Sequence, residues 1–323
     1  MSLADFKPPR RSLLSRILPG RVPAPAPVAV SVMHLEDVVN DEALRDYPEY
    51  LSFGAYPDGV SRFLVDDVAL VRHTAVYGGA GFSQGLFVQY LLAQQLGRGG
   101  GFFFVDENQE ERVAGGLERA AEALGIPFTA VDTSAGYGTA YALVESAENS
   151  EAVYVSLPNF AATPAHTEAR DSLCEQVLEM VRHLHRPASE GRPAHPFIVV
   201  LPSSLLFRLE HWPTLLVRAR AAGIAFVILE SRLIAQDYTV GAHLRTLEEH
   251  TWNKVFFRVG AQDAAREAAG LVAQTIETSG ESSYRAEQII KTCLLRLEQN
   301  ESVSMCGNSA TRLRLPVLDW AAR

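Results

Sequence analysis

Two hydrophobic rhythms alternate along most of this chain. Short runs of consecutive apolar residues are separated by longer stretches whose apolar positions recur every three or four residues. The runs Thr74–Tyr77, Phe102–Asp106, Phe128–Val131, Val153–Leu157, Phe197–Leu201, Ala225–Leu229 and Lys254–Val259 read as strands that are apolar on both faces. Between them Leu86–Leu96, Glu110–Leu124, Ser172–His185, Trp212–Ala222 and Ala261–Thr275 read as helices. Ser172–His185 carries Leu173, Val177, Met180, Val181 and Leu184 at helical spacing. The alternation predicts an α/β fold, a mostly parallel sheet with helices on both faces. A ligand crevice in such a sheet lies beyond the carboxyl ends of its strands. The segments Gly78–Gly85, Asp106–Gln109, Leu201–Ser204 and Glu230–Arg232 are expected to converge there.

Residues 1–30 differ in kind. Lys7, Arg10, Arg11, Arg16 and Arg21 stand against the single acid Asp5, and prolines crowd Leu18 to Val28. The proline stretch reads as a semi-rigid linker. The basic part reads either as a disordered tail or as an arm that docks on a partner or an anionic membrane surface, with Arg10, Arg11 and Arg16 as its contacts. Residues 31–323 read as a single globular domain without evident repeats. With 323 residues, 47% of them hydrophobic, the chain has enough apolar surface for a sizeable core.

The formal charge of −9 argues against a broad nucleic-acid-coating surface. Cys174, Cys293 and Cys306 lack metal-ligand spacing, which points to reduced structural thiols in a cytoplasmic protein. Stretches such as Phe197–Leu201 and Ile224–Leu229 are too short to span a bilayer, and no secretory signal pattern opens the chain.

The candidate chemistry centres on the glycine loop after Thr74–Tyr77. A phosphate-binding loop of the form G-x-x-x-x-G-K-[ST] needs backbone N–H groups to cradle phosphate, a lysine for the β/γ-phosphates and a hydroxyl for Mg²⁺. Here Gly78 takes the first glycine position, and Ser83, Gln84 and Gly85 take the last three. The lysine is absent, and Gly85 offers a metal no side-chain oxygen. Gly79, Gly81 and the helix that follows keep backbone donors, so the segment reads either as a plain strand-to-helix turn or as a weak anion site. Phe82 is large enough to fill the phosphate space instead. Asp106, Glu107 and Glu110 read as a helix-capping run rather than a metal site. Ser203 and Ser204 lack the G-x-S-x-G frame of a hydrolase. The spacing of His183, His185 and His195 does not place two of them on one helix face. Arg312 and Arg314 alternate with leucines, as on a half-exposed strand.

The order of these segments resembles the P-loop motor domain of type IV secretion and conjugation coupling proteins, the TraG/TraD-like group of the FtsK/HerA class. Leu70 to Gly81, with His73 inside it, is similar to the family's L-x-x-H-h-h-h-h-G-x-T-G approach to Walker A. Gly101–Asp106, Pro196–Pro202, Arg220–Ser231 and Asn253–Val259 follow in the family's order, and Leu294–Gly307 with Thr311–Leu315 resembles its closing β elements. The resemblance covers roughly Leu70 to Leu315 and implies a RecA-like fold. It also implies Asp-Glu at the end of Walker B, where this chain has Leu201 and Pro202, and a sensor glutamine, where it has Glu230. Glu230 is placed to pair with Arg232 or Arg220, and Arg220 is the position from which an arginine would reach a neighbouring subunit's nucleotide. The family's N-terminal membrane helices and most of its long helical insertion are not found in this sequence.

These departures lead to the expectation of a pseudo-ATPase. It would need no cofactor or metal and would serve as a protein-interaction scaffold in a secretion or conjugation complex, self-associating there. It is expected in the cytoplasm, peripheral to the inner membrane through its arm or its partners. The alternatives are an ATP-binding subunit completed by a partner and a DNA-binding accessory.

Overall fold

The computed structural model describes residues 32–79, 82–107, 111–133, 143–157, 164–184, 194–230, 238–275, 283–307 and 309–319. The basic arm with Arg10, Arg11 and Arg16, and also Gly81, Glu110, His185 and Arg232, lie outside the described residues or have side chains that do. The strands in chain order are β1 (Val32–His34), β2 (Tyr50–Ala55), β3 (Arg62–Asp66), β4 (Thr74–Tyr77), β5 (Phe102–Asp106), β6 (Phe128–Asp132) and β7 (Ala152–Ser156), then β8 (Phe197–Pro202), β9 (Ile224–Glu230), β10 (Asn253–Phe256), β11 (Glu301–Cys306), β12 (Ser309–Arg314) and β13 (Val317–Asp319). The helices are α1 (Leu35–Val39), α2 (Glu42–Arg45), α3 (Asp67–Leu70), α4 (Phe82–Gly97), α5 (Glu111–Ala123) and α6 (Leu143–Glu148), then α7 (Pro164–Leu184), α8 (Ser203–Leu206), α9 (Trp212–Ala221), α10 (Tyr238–His250), α11 (Gln262–Thr275) and α12 (Ser283–Arg296).

Eleven strands form one sheet in the order β3-β2-β12-β11-β10-β4-β9-β8-β5-β7-β6. From β10 to β6 every pairing is parallel; the flank from β10 out to β3 is antiparallel. The apolar runs divide by alternation, since successive side chains point to opposite faces. On one face Ala75, Tyr77, Phe103, Val105, Phe197, Val199, Phe226 and Ile228 pack with apolar residues of α7, α9, α11 and α12. On the other, Val76, Phe102, Phe104, Ile198, Val200, Ala225 and Val227 pack with α4 and α5. The helices therefore cover both faces, as the sequence predicts.

Helix α4 is buried on nearly every side, glutamines included. The amides of Gln84, Gln94 and Gln95 are hydrogen-bonded, as buried polar groups generally are. Gln94 Oε1 accepts from the Ser52 N–H and its amide nitrogen donates to Ser52 O, at 2.8 and 3.0 Å. Gln95 donates to Gly101 O and Pro196 O. The two glutamines thus bind the helix to β2 and to the approaches of β5 and β8.

Several sequence expectations shift. The helix predicted over Ser172–His185 begins at Pro164, a residue suited to a helix's first turn because it needs no N–H partner there. The strand predicted over Lys254–Val259 closes at Phe256, after which the chain turns toward the glycine loop. The closing segment that was expected to be all β begins as helix, since Leu294, Leu295 and Arg296 end α12. Beyond the main sheet, β1 pairs in parallel with β13. Among the described residues no helix is long and apolar enough to cross a membrane, and no group of His, Cys, Asp or Glu could hold a metal ion. The three cysteines are free thiols, Cys174 and Cys293 buried.

Candidate functional site

Tyr77, Glu230, Pro202 and Asp106 end the adjacent strands β4, β9, β8 and β5, so the predicted convergence at the carboxyl edge occurs. Gly78 and Gly79 turn the chain out of β4 with φ of 71° and 58°, a region glycine enters without steric cost. Their N–H groups are engaged by the sheet itself. Gly78 donates to Glu230 O at 3.2 Å and Gly79 to Arg258 O at 3.3 Å. Gln84, in the place of the Walker lysine, is buried and folds back over the sheet end. Its Nε2 donates to Glu230 O at 3.2 Å and Val76 O at 3.4 Å. Ser83 is buried against Gly79. Phe82 is 51% exposed, and Gln84 is buried behind the loop.

The close contact at Gly79 predicts a selective sensitivity. A Cβ there would stand 2.7 Å from both Phe257 Cβ and Ser83 Cβ, whereas at Gly99, also at positive φ, it would meet nothing within 4 Å. Gly79→Ala is therefore expected to cost about 2–4 kcal/mol and Gly99→Ala about 1 kcal/mol, read from urea unfolding midpoints.

The remaining polar groups at this edge hold one another. Leu201 and Pro202 are buried, and neither offers an oxygen ligand from its side chain. The next residue, Ser203, donates from Oγ to Glu230 Oε2 at 2.6 Å, with both side chains buried. Glu230 therefore pairs across to α8. It does not pair with Arg220, because Arg220 precedes the start of β9 and Glu230 ends it. The Asp106 carboxylate accepts from Tyr154 Oη at 2.8 Å in a buried contact with the neighbouring strand. Glu107 accepts from Ser204 Oγ at 3.2 Å and faces Arg170 Nη2 at 3.6 Å. Asp106 and Glu107 thus tie β5 to β7, α7 and α8, while Glu110 lies outside the described residues. Tyr77 lies stacked on Phe256 at 5.0 Å, and burial, with Glu248 and Glu230 nearby, raises its phenol well above the ordinary range.

Sequence reasoning missed Arg170 and Tyr154 as members of this edge. It quoted Arg258 only as part of a strand, whereas Arg258 stands exposed beside the loop with its carbonyl on Gly79. The histidines do not assemble: His183 meets Glu148 at 3.0 Å and His195 meets Asp67 at 3.2 Å. His73, within the L-x-x-H segment, is buried at the opposite edge. Its Nε2 bonds Leu216 O at 2.7 Å, its Nδ1 accepts from the Phe226 N–H at 3.1 Å, and its own carbonyl accepts from the Asn253 N–H. It thereby locks the amino ends of β4, β9 and β10 together.

A parallel sheet wrapped on both faces, with a glycine loop leading from β4 into a buried helix and an antiparallel flank, is the RecA-like P-loop fold of the conjugation coupling proteins. No protein-family model matches the sequence, and no curated protein does. Solved structures do. The conjugative coupling protein TrwBΔN70 in complex with sulphate is 12% identical, with 91% of this chain and 95% of that one covered at a TM-score of 0.54. TrwB in complex with the GTP analogue GDPNP is 13% identical, with 88% and 94% covered at 0.53. TrwB with ADP and Mg²⁺ is 13% identical, with 88% and 93% covered at 0.51.

Proposed function

We propose that this chain is a non-catalytic, pseudo-ATPase component of a conjugative or type IV secretion apparatus, a protein-interaction scaffold for the coupling complex. One observation carries the reading: among the described residues of this edge, Gly78, Gly79, Gln84, Glu230 and Asp106 have partners within the fold. The Gly78 and Gly79 N–H groups and the Gln84 amide point into the carbonyls of β4, β9 and the Arg258 turn. The Glu230 carboxylate accepts from Ser203, the Asp106 carboxylate accepts from Tyr154, and positions 201 and 202 bring no carboxylate. Phosphoryl transfer relies on cations and a metal to neutralise developing charge, and Gln84, Leu201 and Pro202 stand where a lysine and an acidic pair would supply and hold them. These positions speak against a bound Mg²⁺-nucleotide, and no catalytic step is assigned to them. In this reading the chain works in the cytoplasm or against the inner membrane through its partners. Its overall negative charge disfavours a DNA-coating role.

Calorimetric titration with ATP, with and without Mg²⁺, tests the proposal. The expected result is no binding heat up to ~1 mM nucleotide. Micromolar binding that Arg258→Ala weakens would overturn it and favour the second reading, a nucleotide-binding subunit completed by a partner. That reading rests on the exposed Arg258 beside the loop.

A further inference from the structure

Arg72, Arg220 and Trp252 all lie just ahead of the parallel strands β4, β9 and β10, so they gather at the edge of the sheet opposite the glycine loop. There they line an open cavity of about 220 Å³ together with Val217, Glu249 and His250. Its aromatic wall is fixed in place. The Arg72 guanidinium lies 3.3 Å from the Trp252 ring centroid, and the Trp252 backbone N–H donates to Arg72 O at 2.9 Å. Against another part of the indole stands Gly307, at φ 56°, where a Cβ would come within 2.4 Å of the ring. Only glycine leaves Trp252 this position. Trp252 nevertheless stays 37% exposed, and Val217 on α9 stays 60% exposed. Arg220, at the end of the same helix, is exposed and forms no ion pair among the described residues.

The chemistry of these walls defines the occupant. Tryptophan and arginine are the side chains most enriched where protein interfaces concentrate their binding energy, and an aromatic held rigid before binding loses little entropy on docking. Two guanidiniums against the single carboxylate of Glu249 give a locally positive rim on a chain of net charge −9. Guanidiniums select carboxylates by charge-assisted, often bidentate hydrogen bonds. The exposed Val217 and Trp252 surfaces select an apolar neighbour. The volume lies below the roughly 300–1,000 Å³ usual for small-molecule sites, and suits side chains projecting from another chain.

We propose that this cavity is a docking site for a short acidic segment of a partner protein, in which a carboxylate stands beside an apolar side chain. Because the site is at the other end of the sheet, its test does not depend on whether the glycine loop takes nucleotide.

The test follows the Trp252 indole N–H of the ¹⁵N-labelled full chain by NMR, its signal assigned with Trp252→Phe. The probe is the acetylated peptide Gly-Ser-Glu-Leu-Asp-Phe-Glu-Ser-Gly, compared with its counterpart in which Gln and Asn replace Glu and Asp. Saturable shifts with Kd of ~0.1–1 mM are expected for the acidic peptide only. Arg220→Glu is expected to weaken them about tenfold or more, and Val217→Ser several-fold. Both positions are exposed, and an unchanged circular dichroism spectrum confirms that the variants fold. Equal shifts with the neutral peptide, no shift at ~5 mM peptide, or saturation by a thymidine oligonucleotide in place of the acidic peptide would each overturn the proposal. A change of oligomeric state in Arg220→Glu would also overturn it, by assigning the face to a second copy of this chain.

Discussion

Replacing Glu301 by alanine is expected to lower the unfolding free energy by about 3–5 kcal/mol, enough to leave many domains of this kind largely unfolded. Glu301 opens β11 with only 1% of its side chain exposed. Its carboxylate accepts from Arg312 and, at 3.0 Å, from Arg314 Nε, both on the antiparallel neighbour β12, and from the Glu298 N–H at 3.0 Å. Burial alone would raise this carboxyl, but the hydrogen bonds from Arg312, Glu298 and Arg314 outweigh it and hold the group below the ordinary glutamate range. Removing the acid leaves two partly buried guanidiniums facing each other without a counter-charge, a loss far above that of a surface pair. Glu301→Gln keeps acceptor geometry without charge, so it should fall between wild type and alanine in a urea titration. Equal stability of all three proteins would show that the arginines find solvent instead. Arg312 and Arg314 are thus more than the polar face of a half-exposed strand; they clasp the flank that closes the sheet.

The second large effect is a dependence of stability on acid, centred on His73. Burial pushes this imidazole down to about 4 from its ordinary 6.5, with Arg220 and His250 nearby lowering it further against the opposing bond to Leu216 O. Protonation would also put a second N–H on Nδ1, which accepts from the Phe226 N–H. The folded state therefore binds this proton less readily than the unfolded chain does. Its contribution is complete above pH 6.5, declines as pH falls toward 4, and amounts to about 3 kcal/mol over that window. Glu248, pushed up to about 7 by burial, titrates over an overlapping range with the opposite sign. The clean measurement is consequently a difference: unfolding free energies of wild type minus His73→Asn at pH 7.5 and pH 5. Asparagine tolerates the φ of 67° at this position. The difference should shrink at the lower pH. A pH-independent difference would mean that His73 titrates in the fold as it does in the unfolded chain, and a difference that grows at pH 5 would mean that it is charged there.

The buried strands were legible because their runs are apolar on both faces, which leaves few competing structures. Helix α10 was not, since its apolar residues are sparse: among its described side chains Leu244 and Leu247 are the buried apolar anchors. At the candidate site the glycine positions and the missing lysine could be read directly. The destinations of the loop's N–H groups could not, because Glu230 and the turn at Arg258 reach them from more than a hundred residues away. One error was avoidable. Parallel strands place every residue that precedes them at one edge, so Arg220 could never have met Glu230 across the length of β9. The cavity around Trp252 left no local sequence signal, because its walls come from three separated segments and its shape from Gly307.

The small ladder between β1 and β13 bears on how the molecule carries mechanical load. The two strands run parallel, Val32 opposite Val317 and His34 opposite Asp319. Tension applied through the segments that precede Val32 and follow Asp319 pulls the strands in opposite directions along their own axes. The ladder's hydrogen bonds are then sheared together and cannot be unzipped one at a time. A chain held from one side and drawn from the other therefore meets its first resistance at these six residues, before force reaches the large sheet.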